Sequence, residues 1–273
     1  MTTLLAFDTA TERLSIALLT PAGEVFVHEG EGGARASAAL IPAIMALLAE
    51  AGLTLNDLDA IAFGRGPGAF TGLRTACSVA QGLAFGAGKP VLPIDTLLAV
   101  AEDARGDLQD TRIWVTMDAR MNEIYVAHYA HDAAGWRVLE PPTLTTPEAL
   151  NQRWSEAPPD AVAGNALTAF GERLQPGAAR RMPGAQPRAV AMLPLAQAMW
   201  VRGEAVDAAL ALPLYVRDKV AQTTVERDAI RRAKEAALPG SARSDEVAAV
   251  GRRADGMPAG VAPSASPTKA SAP

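Results

Sequence analysis

LLAFDTATERLSIALLTPAGEVFVHE, residues 4–29, and RIWVTMDARMNEIYVAHYAHDAAGWRVLE, residues 112–140, follow one pattern twice. Each reads as a strand that ends on an aspartate (Asp8, Asp118), a polar loop, a second strand, a turn and a third strand. In the first copy TLLAF is a short buried run, LSIALL follows the loop, PAG turns the chain and EVFVHE alternates as a strand does. Identity between the copies is slight, so the repeat is one of pattern.

Three consecutive antiparallel strands followed by helices and further strands, occurring twice, predict a duplicated α/β protein. The actin-like, ribonuclease H-like architecture is built that way, with mixed sheets flanked by helices in each lobe. Residues 1–105 are expected to form the first lobe and 106–222 the second, with its last helix, about 190–203, in a position to pack back on the first. Beyond it, 223–273 is Gly, Ala, Ser, Pro and scattered charge, the composition of a disordered tail.

Composition narrows the function. The chain has 273 residues, 49% hydrophobic and 20% charged, with a net charge of −5. A net acidic chain is a poor stand-alone nucleic-acid binder, because that affinity comes largely from neutralising phosphates. One cysteine, Cys77, rules out a disulfide within the chain and suits a reducing, cytoplasmic setting. The start, MTTLLAFDTATER, has no basic residue before Arg13, and no run approaches ~20 uninterrupted apolar residues. Neither a signal peptide nor a membrane span is expected.

GRGPGAFTGLRT, residues 64–75, follows the apolar run DAIAF and leads into the helical pattern TACSVAQGLAF. A strand, a glycine loop and a helix can bring backbone N–H groups to an anion. The spacing fails as a Walker A motif: three residues separate Gly68 from Gly72, and Leu73-Arg74-Thr75 follows instead of Lys-Ser/Thr. The alternative is structural, with glycines letting a helix approach a sheet closely and Thr71 capping that helix. Asp8 in DTAT has the same two readings, a metal- and phosphate-side carboxylate or an Asx turn between strands. Asp8, Thr9, Gly66, Gly68, Thr71 and Asp118 are therefore the candidate, vestigial nucleotide-side residues.

No catalytic or metal set assembles from the rest. His128 and His131 sit three apart on a strand and its turn, and no Cys pair exists. Arg13, Arg65, Arg74 and Arg120 lie in loops or at helix starts, where solvated or structural arginines are the commoner case. Two helices, Ser37–Ala51 and Thr71–Phe85, carry apolar and small residues at helical spacing: Leu40, Ile44, Leu47 and Leu48 on the first, Leu73, Cys77, Ala80 and Ala84 on the second.

FDTATERLSIALL (7–19), GRGPGAFTGLRTACSVAQGLA (64–84), MDARMNEIYVAHY (117–129) and LPLYVRDKVA (212–221), in that order, resemble the TsaB family. The resemblance runs from about Met1 to about Val220. It implies a non-catalytic scaffold in the modification of tRNA with threonylcarbamoyladenosine. The implied partners are the catalytic subunit TsaD, the ATPase TsaE, a second copy of the chain when alone, and tRNA only through the complex, with no membrane. The eight helix-face residues above would then form the interface. Where TsaD carries its metal histidines this chain has Ala36, Ser37 and Ala38. No cofactor is required on this reading, and weak ATP or ADP binding stays open. The alternative is a stand-alone ATP-dependent enzyme of the sugar-kinase type, with Asp8 and Asp118 on the metal side. A metalloprotease is disfavoured by the missing ligand cluster.

Overall fold

A computed structural model describes residues 2–106, 108 and 110–217. The expected tail, 223–273, lies outside them. The described residues form two five-stranded sheets. The first holds β1 (Leu4–Asp8), β2 (Arg13–Leu19), β3 (Val25–Glu31), β4 (Ala60–Gly66) and β5 (Val91–Asp95), in the order β3-β2-β1-β4-β5. The second holds β6 (Thr111–Asp118), β7 (Ile124–Asp132), β8 (Gly135–Thr145), β9 (Ala161–Ala163) and β10 (Arg180–Met182), in the order β8-β7-β6-β9-β10. The two orders are the same once the strands are renumbered. In each sheet the first three strands are antiparallel neighbours and the fourth and fifth run parallel to the first. The fold is a duplicated α/β architecture of mixed sheets flanked by helices.

Among the described residues, six helices cover these sheets: α1 (Ala36–Glu50), α2 (Phe70–Ala87), α3 (Thr96–Arg105), α4 (Pro147–Glu156), α5 (Ala166–Phe170) and α6 (Ala189–Val201). Helices α1 and α2 lie side by side on one face of the first sheet, against Phe7, Ile16, Ile61 and Phe63. On the opposite face Met192, Leu193 and Ala196 of α6 pack on Ala6, Ala17 and Ala62. Helix α3 sits between the sheets, turning Ala99 to the first and Leu97, Val100 and Ala101 to the second. Helices α4 and α5 cover the far side of the second sheet with Leu150, Trp154 and Ala166.

Local sequence accounts for most boundaries. Thr146 accepts a hydrogen bond from the Ala149 amide and Pro147 occupies the first helical position, so α4 starts there. Gly88, at φ +64°, closes α2 in the left-handed conformation. Pro42 falls inside α1, which continues through it to Glu50 with Pro42 facing solvent. Gly33–Glu50 is long and apolar enough to cross a membrane by composition alone, with a mean hydropathy of 1.3. Its inner face is nonetheless packed on the first sheet.

The expected interface positions are corrected here. Leu40, Ile44, Leu47 and Leu48 of α1 and Leu73, Cys77, Ala80 and Ala84 of α2 are all buried within the chain. Periodicity finds the apolar stripe, and the stripe meets the chain's own sheet. The free outer face carries other residues: Ile41 and Met45, each 44% exposed, with Ala38 and Ala49 on α1; Ser78, Gly82, Gly86 and Phe85, 85% exposed, on α2.

Candidate functional site

The strand ends of the two lobes meet at a cleft. From the first lobe come the β1–β2 loop, with Ala10, Thr11 and Glu12, and the β4–α2 loop, with Pro67, Gly68, Ala69 and Phe70. From the second come Asp118, Arg120, Met121 and Asn165. Leu214, Tyr215, Val216 and Arg217 close it from the C-terminal side. The cleft's volume is about 230 Å3, below the ~300–1,000 Å3 of ordinary small-molecule pockets.

The glycines of the β4–α2 loop are explained by their neighbours. A Cβ on Gly64 would lie 1.7 Å from Asp8 Oδ2, one on Gly68 2.6 Å from the Ala10 carbonyl, and one on Gly72 1.8 Å from the Thr9 carbonyl. DTA therefore lies directly on this loop and on the first turn of α2. The Thr9 hydroxyl donates to the Gly72 carbonyl (2.8 Å), and the Ala69 amide donates to the Ala10 carbonyl (2.8 Å). Ala69 is the N-cap of α2, and no side chain caps it. Thr71 is already helical and exposed, so its expected capping role is not realised.

Asp8 is buried, with 1% of its surface exposed. One oxygen accepts the Ala10 amide at 2.7 Å, closing an Asx turn. The other accepts the Thr96 hydroxyl at 2.9 Å, and that hydroxyl accepts the Gly66 amide at 3.1 Å. Burial pushes the Asp8 carboxyl up to about 6, against the lowering effect of the Ala10 and Thr96 hydrogen bonds. Arg65 donates to Asp95 at 2.5 Å beside this chain of bonds.

Of the six candidate nucleotide-side residues, Gly68 and Asp118 line the cleft. Asp8, Thr9, Gly66 and Thr71 do not. Asp118 accepts the Arg120 amide (2.8 Å) and sits 3.3 Å from its guanidinium, while the Asp118 amide donates to Asn165 (2.9 Å). The space that bare glycines would offer a phosphate is filled by Asp8, Thr9 and Ala10, and Asp8 is not turned toward the cleft. These residues do not fit the metal and phosphates of a bound nucleotide in this arrangement. Among the described residues, no group of three or more His, Cys, Asp and Glu is placed to hold a metal ion.

The remaining sequence candidates have partners. Arg13 faces Glu29, Arg120 faces Glu12, and Arg74 lies 3.7 Å over the Phe70 ring. His128 stacks on Trp114 with centroids 4.4 Å apart, and burial holds its pKa below the ordinary value. Cys77 is buried in the core, and that burial pushes its thiol up to about 11, which suits an inert side chain.

Comparison with known proteins places the chain. The family profile of TsaD, tRNA N6-adenosine threonylcarbamoyltransferase, matches residues 31–151. The tRNA threonylcarbamoyladenosine biosynthesis protein TsaB of Haemophilus influenzae is 36% identical over 228 residues, covering 80% of this chain and 94% of the relative. The Escherichia coli protein of the same description is 35% identical over 222 residues, covering 80% and 96%. The solved structure of YeaZ from Pseudomonas aeruginosa superposes with a TM-score of 0.72 at 39% identity, covering 79% of this chain and all of that one. With nearly the whole length of both relatives matched at this identity, the chain belongs to the TsaB family.

Proposed function

We propose that this protein works in tRNA threonylcarbamoyladenosine biosynthesis as a non-catalytic subunit. It binds and supports the transferase TsaD, with the ATPase TsaE joining the pair, and touches tRNA only through that complex. The observation that carries this reading is the outer face of α1 and α2, where Ile41, Met45 and Phe85 stand exposed beside small residues. Exposed aromatic and Met side chains are typical anchors of protein interfaces. The same face serves a second copy of the chain when TsaD is missing. Asp8 is consumed in a buried turn, which supports a structural role for the residues that resemble a nucleotide site. The protein needs no nucleotide of its own and acts in the cytoplasm.

Reconstitution tests this. Purified TsaD and TsaE, the adenylate donor and tRNA are mixed with and without the full chain. Modification is expected to need the chain, and TsaD is expected to co-purify with it. Equal modification in its absence, or turnover of ATP by the isolated chain, overturns the reading.

A further inference from the structure

The segment Ala211–Arg217 has no regular secondary structure, yet it is tied at both ends of a short span to different lobes. On the first lobe, the Leu214 amide donates to the Arg65 carbonyl at 2.7 Å. The Leu214 carbonyl lies so close to Gly66 that a Cβ there would sit 3.0 Å away, and Gly66 holds φ +113°. The Tyr215 ring stacks on Phe70, centroids 5.0 Å apart, and its hydroxyl accepts Arg74 Nε at 3.2 Å. On the second lobe, Val216 packs against the core of the second sheet. The Arg217 guanidinium donates to Glu123 at 2.5 Å and to the Ala119 carbonyl at 3.0 Å. Its side chain is 16% exposed.

The loop that Arg217 grips is unusual. Arg120, Met121 and Asn122 have φ of +62°, +54° and +63°, three consecutive left-handed residues without a glycine. Such conformations persist where surrounding contacts impose them. Arg217 supplies contacts on both sides of the three, at Ala119 and Glu123. A further tie across the cleft among the described residues, Glu12 to Arg120, is between side chains 76% and 72% exposed, a class of pair that contributes little. Helix α3 and Trp136 also join the lobes, but neither lines the cleft.

We propose that Ala211–Arg217 is an interlobe latch: Leu214 and Tyr215 grip the first lobe, Val216 and Arg217 grip the second, and the segment ties the rims of the two lobes together at the cleft. The device goes beyond the proposed function and does not depend on it. If the two grips are coupled through the segment, the coupling is reciprocal: loosening either weakens the other by the same free energy.

Hydrogen exchange on the full chain, residue by residue, tests this. Arg217→Ala removes the second-lobe grip and is expected to raise exchange at the Leu214 amide, on the first lobe, at least tenfold. Tyr215→Ala removes a first-lobe grip and is expected to raise exchange at the Ala119 and Glu123 amides by a similar factor. Arg217→Lys, which keeps the charge but loses the fork of donors, gives a smaller rise in the same amides and serves if the alanine variant does not fold. Glu12→Gln is the control and is expected to change these rates less than twofold. Effects confined to the lobe of the substituted contact, or no rise at Leu214 in either Arg217 variant, overturn the latch.

Discussion

Asp8 shows how one residue can carry the signature of a nucleotide site and serve another purpose. Its position at the end of β1 is the one an actin-like reading assigns to metal and phosphate. In the fold its two oxygens are taken by the Ala10 amide and the Thr96 hydroxyl, so it pins β1 to α3. The cost is a buried carboxyl whose pKa, about 6, stands above the ordinary 3.8. Between those values the native state binds more protons than the unfolded chain. The stability that the proton provides is full below about pH 4 and is lost as pH rises through about 6. Asp8→Asn keeps an acceptor for the Ala10 amide and removes the titration. Urea unfolding from pH 4 to pH 8 is expected to show the variant gaining roughly 2 kcal/mol on the wild type between pH 4 and pH 7, then holding level. A constant difference across that range means that Asp8 does not titrate there.

At the scale of elements, the repeat of three strands was plain in the sequence, because alternation and turn residues are local signals. The strands β1 to β4 lie where those signals put them, and TACSVAQGLAF does lie within a helix. Three helices, α3, α4 and the short α5, do not follow from those signals. For α4 the signal was present, Thr146 and Pro147 ahead of Glu148; for α3 the apolar spacing of Leu97, Val100 and Ala101 was hidden because the helix is apolar toward two sheets at once. The site was less legible still. A helix that packs on a sheet turns its strongest apolar stripe inward, and that buried stripe is the one periodicity reports. Which face is free depends on the sheet beneath, a fact of tertiary structure. The two faces have separable consequences. Ile41→Asp or Phe85→Asp is expected to weaken association with TsaD at least tenfold while leaving the melting temperature of the isolated chain within about 2 °C, since exposed substitutions away from special contacts are usually within ~0.5 kcal/mol. Leu47→Asp, which puts a charge in the core, is expected to unfold the chain. Surface plasmon resonance against TsaD and thermal melts separate these outcomes. Unchanged binding by both outer-face variants counts against that face.

At the scale of the molecule, the lobes are alike in topology but do not stand apart. Helix α3 contributes side chains to the cores against both sheets, and Trp136 of β8 packs with residues of both while its indole donates to Glu102 of α3. Helix α6, which follows the second sheet in sequence, is packed on the first, and its first amide, at Ala189, donates to Ser15 of β2 at 2.7 Å. The Arg188 guanidinium pairs with Asp103 of α3 in the same seam. Unfolding either sheet therefore strips the other of one of its covering helices. Independent lobes would melt separately; lobes that share a layer should melt together. The tryptophans can tell these apart. Trp200 lies on α6 against the first sheet, while Trp114 and Trp154 lie in the core beyond the second. In a variant with Trp114, Trp136 and Trp154 replaced by Phe, fluorescence is expected to follow Trp200 on the first sheet; in one with Trp136 and Trp200 replaced, it follows Trp114 and Trp154 beyond the second. The two fluorescence midpoints, each compared with far-ultraviolet circular dichroism of the same variant, are expected to coincide within that variant. A fluorescence transition that precedes the loss of helix in one variant and lags it in the other would mean that the lobes unfold as separate units and that the shared layer does not couple them.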